Sequence, residues 1–186
     1  KIKRSQINSN VFGGGNNAVV DGTTTIDITG ASTIINVYGG GNNGAVNGNA
    51  DIDIKERSTV QNVFGGGAKA NLNSSSNTTI DNAVIGNVYG GGEEANVTGT
   101  TTVDIVNSST VDNVFGGGKG TTATLGGLIT VGITNSVINE NVYGLYSKYF
   151  YISQIITESN LNKELLFTVE TTSDNIKKAQ DNQIKM

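Results

Sequence analysis

Apolar residues along this chain come in short clusters separated by Gly, Asn, Ser and Asp, and the clusters recur in step. The string Asn-Val-(Phe/Tyr)-Gly begins at Asn10, Asn36, Asn62, Asn87, Asn113 and Asn141, at intervals of 26, 26, 25, 26 and 28 residues. The first five copies run on into Gly-Gly-Gly (residues 13–15, 39–41, 65–67, 90–92 and 116–118), and the sixth breaks at Gly144-Leu145. Ten residues after each Asn stands a small or apolar residue: Val20, Val46, Leu72, Val97 and Ala123. An apolar-x-apolar pair follows: Ile26/Ile28, Ile52/Ile54, Thr78/Ile80 in weakened form, Val103/Ile105 and Ile129/Val131. Each period closes on Ile34, Val60, Val84 or Ile85, Val111 and Val137.

Alternation within Ile-Asp-Ile has period two, the mark of a strand. Over residues 10–143 no apolar spacing of i, i+3, i+4, i+7 lasts long enough for a helix. A fixed period with three apolar clusters per copy predicts a solenoid. The expected fold is all-β: a right-handed parallel β-helix with about 26 residues and three short strands per coil. The repeat array is expected over residues 1–147, about six coils beginning mid-coil, with a non-repeat cap and polar tail over 148–186. A mid-coil start implies a piece of a longer protein. The cap opens on Tyr146, Tyr149, Phe150 and Tyr151, followed by β-like runs at Ile152 to Thr157 and Leu165 to Val169.

In such a coil, like residues pile up about 4.8 Å apart. The Asn column is expected to bond through its side-chain amides along the axis. The Gly run supplies either positive φ or close backbone approach at a corner. The Val column (Val11, Val37, Val63, Val88, Val114, Val142) is expected in the core, and its aromatic neighbour points the other way on a straight strand. That aromatic alternates: Phe12, Tyr38, Phe64, Tyr89, Phe115, Tyr143. It reads as a stabilising stack or, more sharply, as a platform on which Tyr38, Tyr89 and Tyr143 meet sugar rings.

Composition narrows the chemistry. Among 186 residues there is no Cys and no His, which excludes disulfides, thiolate catalysis, Ser-His-Asp machinery and the commonest zinc ligands within this chain. Net charge is −4 and no apolar run is long enough to span a bilayer, so neither nucleic acid nor membrane insertion is expected. Proline is absent while Val, Ile and Thr are frequent, unlike a disordered linker. Asp27, Asp53 and Asp104 share one repeat position flanked by core residues and should face outward, whereas the ladder breaks at Thr79 and Thr130. A carboxylate pair such as Asp27/Asp53 suits ligand binding, calcium or acid–base sugar chemistry, or is simply a solvated face. Threonine triplets at residues 23–25 and 100–102 resemble an ice-binding grid but are interrupted. No Gly-Lys-Ser/Thr follows the glycines, so they are not a phosphate loop.

The Asn-Val-Tyr-Gly-Gly-Gly repeats with Thr-Thr-Ile-Asp-Ile strands resemble the right-handed β-helix arrays of bacterial surface and secreted, adhesin-like proteins, over residues 5 to about 147. The resemblance implies export and an extended, non-catalytic adhesive or structural role at the cell surface or outside the cell. Its implied partner is carbohydrate or another surface ligand along one face, with no metal or cofactor, and end-to-end self-association is compatible with it. The alternative is a polysaccharide lyase or glycoside hydrolase of the parallel β-helix type. Such enzymes carry longer loops and a charged groove, for which these short turns leave little material.

Overall fold

The computed structural model describes residues 1–120 and 122–144, together with the backbone of three strands beyond them. It is a parallel β-solenoid. One wall is the seven-stranded sheet of β1 (Ile2–Lys3), β3 (Thr24–Thr29), β5 (Ala50–Lys55), β7 (Ser76–Asp81), β9 (Thr101–Val106), β11 (Ile129–Thr134) and β13 (Ile152–Thr157). The second wall holds β2 (Gln6–Phe12), β4 (Thr33–Tyr38), β6 (Thr59–Phe64), β8 (Val84–Tyr89), β10 (Thr110–Phe115) and β12 (Val137–Tyr143), with β14 (Asn160–Leu161) and β15 (Leu165–Leu166) both pairing on β12. Every neighbouring pair is parallel, as coils stacked on coils require.

The expected third strand is reduced to a line of single-residue parallel bridges, Val20–Val46–Leu72–Val97–Leu125. The fifth rung is therefore Leu125, not Ala123. Two extra residues in that loop also shift the following strand: Val131/Ile133, not Ile129/Val131, sit in register with Val103/Ile105, and Gly132, not Thr130, follows Asp104. The tyrosines at 146, 149 and 151 and Phe150 lie outside the described residues.

Coils are counted from each Asn: residues 10–35, 36–61, 62–86, 87–112 and 113–140 form coils 1 to 5. The irregular intervals have local causes. Each turn between the two walls is made by residues at positive φ. Three of these turns use two such residues (Gly30-Ala31, Glu56-Arg57, Asn107-Ser108), whereas Arg4, Asn82 and Asn135 turn alone. Coil 3 loses its one residue at Asn82. Coil 5 loses one at Asn135, gains two in its loop and gains another where Asn139 and Glu140 oppose Asp112, a bulge in β12. A similar bulge lies in β2, so both flanking strands of the array are locally kinked.

One aliphatic core fills the tube. Coils 2 and 3 show its makeup: Ile52 and Ile54 from one wall, Val60 and Val63 from the other and Leu72 from the bridge line are all at most 1% exposed. Burying each such side chain stabilises by about 1.5–3 kcal/mol. Most polar groups inside are paired in columns, the Thr29 and Thr78 hydroxyls being buried without a hydrogen-bond partner. Ser32, Ser58 and Ser109 close the wall-to-wall turns, each hydroxyl donating to the carbonyl three residues back (Thr29, Lys55 and Val106, at 2.7, 2.7 and 2.6 Å). Thr24 and Thr101 donate to the glycine carbonyls Gly39 O and Gly116 O at 2.6 and 2.8 Å, tying the first wall to the corner.

That corner explains the triplets by close approach rather than by φ, since none of these glycines has positive φ. A Cβ on Gly39 would stand 2.4 Å from Gly65 O, one on Gly40 2.7 Å from Gly67 N, and one on Gly41 2.1 Å from Gly44 O. All three blocking groups are backbone, which cannot step aside without breaking the coil-to-coil hydrogen bonds Gly39 N–H to Phe64 O (2.9 Å) and Gly40 N–H to Gly66 O (3.1 Å). Gly40→Ala should therefore cost about 3 kcal/mol or more. Gly22→Ala, where a Cβ meets nothing within 4 Å, should be nearly neutral in the same urea titration followed by circular dichroism.

Candidate functional site

Two columns carry the residues singled out by sequence. The first is aromatic. Val and its aromatic neighbour do face opposite ways: Val37, Val63, Val88 and Val114 are fully buried in the main core, while the rings form a second apolar cluster outside it. Phe12, Tyr38, Phe64, Tyr89, Phe115 and Tyr143 stack without a break, with centroids 4.5–4.9 Å apart and planes within 13°. Each inner ring thus has both faces covered by other rings. Tyr38 is only 4% exposed, and Tyr89 is half-buried. Tyr143 is in register with Leu166 of β15.

Over this stack runs the line of residues that follow the glycine triplets: Asn16, Asn42, Ala68, Glu93 and Lys119. Ala68 packs against Tyr38 and Phe64. Glu93 accepts from the Tyr38 hydroxyl at 2.6 Å through Oε2 and from Lys119 Nζ at 2.8 Å through Oε1. The Lys119 ammonium lies 5.9 Å from the Phe64 ring centre, within cation–π range. Burial, reinforced by the Glu93 hydrogen bond and charge, pushes the Tyr38 phenol well up. Burial also raises Tyr89, against the opposing pull of Lys119. For Glu93, burial alone would raise the carboxyl, but the bonds from Lys119 and Tyr38 outweigh it and hold it below its ordinary value. The Glu93 bond raises Lys119 in turn.

The sequence reading passed over Glu93 and Lys119. Their signal was available: opposite charges at one repeat position in adjacent coils must meet once the coils stack.

The second column is the outer face of the first wall. Asp27 and Asp53 are register partners, continued by Thr79, Asp104 and Gly132. Each of the first two carboxylates is matched by a lysine: Lys1 Nζ to Asp27 Oδ2 at 3.0 Å and Lys55 Nζ to Asp53 Oδ2 at 3.2 Å. The Asp53 bond raises Lys55. The Asp53 side chain is 46% exposed and wet, whereas that of Asp27 is 27% exposed and its Oδ1 is buried without a hydrogen-bond partner. Asp104 is held up by desolvation, with its Oδ1 lying over the bare Cα of Gly132, where a Cβ would be 2.5 Å away. Among the described residues no three carboxylates converge as a metal site, and no helix is long and apolar enough to cross a membrane.

A further set of columns is built from side-chain amides. Asn36, Asn62, Asn87, Asn113 and Asn141 each donate Nδ2–H to the Oδ1 of the Asn one coil earlier, at 2.8–3.1 Å. Shorter columns repeat the arrangement at Asn42/Asn16 and at Asn73/Asn47/Asp21. The structure thus brings Tyr38, Tyr89 and Tyr143 into one column and Asp27 and Asp53 into another, on separate faces. Comparison with protein-family models, curated proteins and solved structures finds no match for this chain.

Glu93 predicts an acid dependence. Because its folded pKa is depressed, its contribution is present above the unfolded value of about 4.3 and fades as pH falls through the folded value. Glu93→Gln should cost about 1 kcal/mol at pH 7. The gap to wild type in urea midpoints should close below pH 4, and a gap independent of pH would contradict the assignment.

Proposed function

We propose that this chain is a non-catalytic structural and adhesive β-solenoid, exposed at a cell surface or secreted. The observation that supports this reading best is self-satisfaction of the outer columns. Amides bond to amides, aromatic faces to aromatic faces and lysines to the aspartates beside them, across wall-to-wall turns of only one or two positive-φ residues. Such a surface is built for length and regularity. Carbohydrate, the partner in this reading, meets the flat outer face of the first wall. There Asp53, Asp51, Asn77 and Thr102 carry acceptors and donors repeating at the strand spacing. The tyrosines lie on the second wall, with their ring faces held by neighbouring rings, and stand outside this surface.

The lyase or hydrolase alternative would need a desolvated carboxylate with a raised pKa next to a second group. Among the described residues Asp104 alone has the shift, and its register neighbours are Thr79 and Gly132.

Titration calorimetry and product assays on neutral and acidic polysaccharides test the reading. Binding without reducing or unsaturated products is expected, with at least a threefold loss of affinity in Asp53→Asn. Accumulation of either product by intact but not by unfolded protein would overturn it.

A further inference from the structure

In a solenoid each coil touches only the coil above and the coil below, so stability is a sum of nearest-neighbour terms and coils can open one at a time. The hydrogen bonds of this chain keep that rule almost everywhere, joining residues about 26 apart. The group over the aromatic stack does not. Tyr38 belongs to coil 2 and Glu93 to coil 4, a separation of 55 residues. Lys119 of coil 5 sits over Phe64 of coil 3. Both contacts skip a coil, and both run through one carboxylate, because Lys119 is held by Glu93 Oε1 while Tyr38 is held by Oε2. The rung between Asn42 and Glu93 is Ala68, whose methyl packs on the rings and leaves the carboxylate room to reach past coil 3.

We propose that Glu93 is a latch that fuses coils 2 to 5 into one cooperative block, so that these coils open together rather than one by one. Three features support the assignment. The Tyr38 side of the latch is desolvated, with Tyr38 4% and the Glu93 side chain 28% exposed, so that hydrogen bond is stronger than a surface one, whereas Lys119 is 52% exposed. It closes over the rings, so its release uncovers the second apolar cluster. It is local: no corresponding carboxylate stands at Asn16, Asn42 or Ala68. A segment under tension or exposed to proteases would gain from this, because proteolysis follows the population of the open form.

Native-state hydrogen exchange in low urea reads the claim directly. The amides of Gly39, Gly65 and Gly90 each donate to the ring residue of the next coil and report coils 2, 3 and 4. In wild type their opening free energies should converge on one urea dependence, and Gly13 in coil 1 should exchange separately and faster. In Glu93→Ala the three should separate, with Gly39 exchanging about tenfold faster and Gly90 changing less than twofold. Tyr38→Phe, which keeps the ring stack and removes only the hydroxyl, should release Gly39 from the group in the same way. Three different urea dependences in wild type would overturn the proposal. So would a uniform acceleration of all three amides in both variants, which would mean that Glu93 adds stability without coupling the coils.

Discussion

The constraint on which this molecule depends is that the backbone must return, one strand-width away, onto itself. Once coils hydrogen-bond in parallel and in register, every side chain meets its own equivalent. A residue type then succeeds or fails by how well it packs against itself. Asparagine bonds to asparagine, a ring stacks on a ring, and Ile fills the space beside Ile. Glycine at the corner is the condition for this, because carbonyls and amides of successive coils come within 3 Å of where a Cβ would stand. Charge obeys the same logic with opposite sign: like charges in one column repel, so Asp27 and Asp53 are each joined to a lysine, and the column goes on through Thr79.

Much of this was legible in the sequence because repetition encodes register. The period, the parallel stacking, the amide column, the valine core and the stacked rings all follow from aligning six copies of Asn-Val-aromatic. What escaped falls where copies differ in length. The shift from Ala123 to Leu125 and from Ile129/Val131 to Val131/Ile133 arises because an insertion in a loop is invisible until the next strand is paired. The third apolar cluster lost its strand status because a single residue flanked by polar turn residues, as Leu72 is by Asn71 and Asn73, has no room to extend a ladder. The glycine triplets allowed two explanations, and only coordinates distinguish steric approach from positive φ. Glu93 and Lys119 were missed because a position that reads Asn, Asn, Ala, Glu, Lys looks variable, whereas variation between neighbouring rungs is itself the contact.

The functional reading is weighted by the same self-pairing. Groups already committed to one another along the axis are poor catalysts and poor stackers for a sugar ring, but a surface of evenly spaced acceptors and donors suits a long polymer met edge-on. The latch at Glu93 adds a mechanical side to this picture. It converts four of the five counted coils from weakly coupled units into one block.

The central claim is in-register stacking, and isotope-edited NOE spectroscopy of selectively labelled protein tests it most directly. Ring protons of Tyr38 should show cross-peaks to those of Phe64, and the Asn62 side-chain amide should show them to Asn36, pairs separated by 26 residues. Cross-peaks confined to sequence neighbours, or linking these residues to copies one rung out of step, would contradict it.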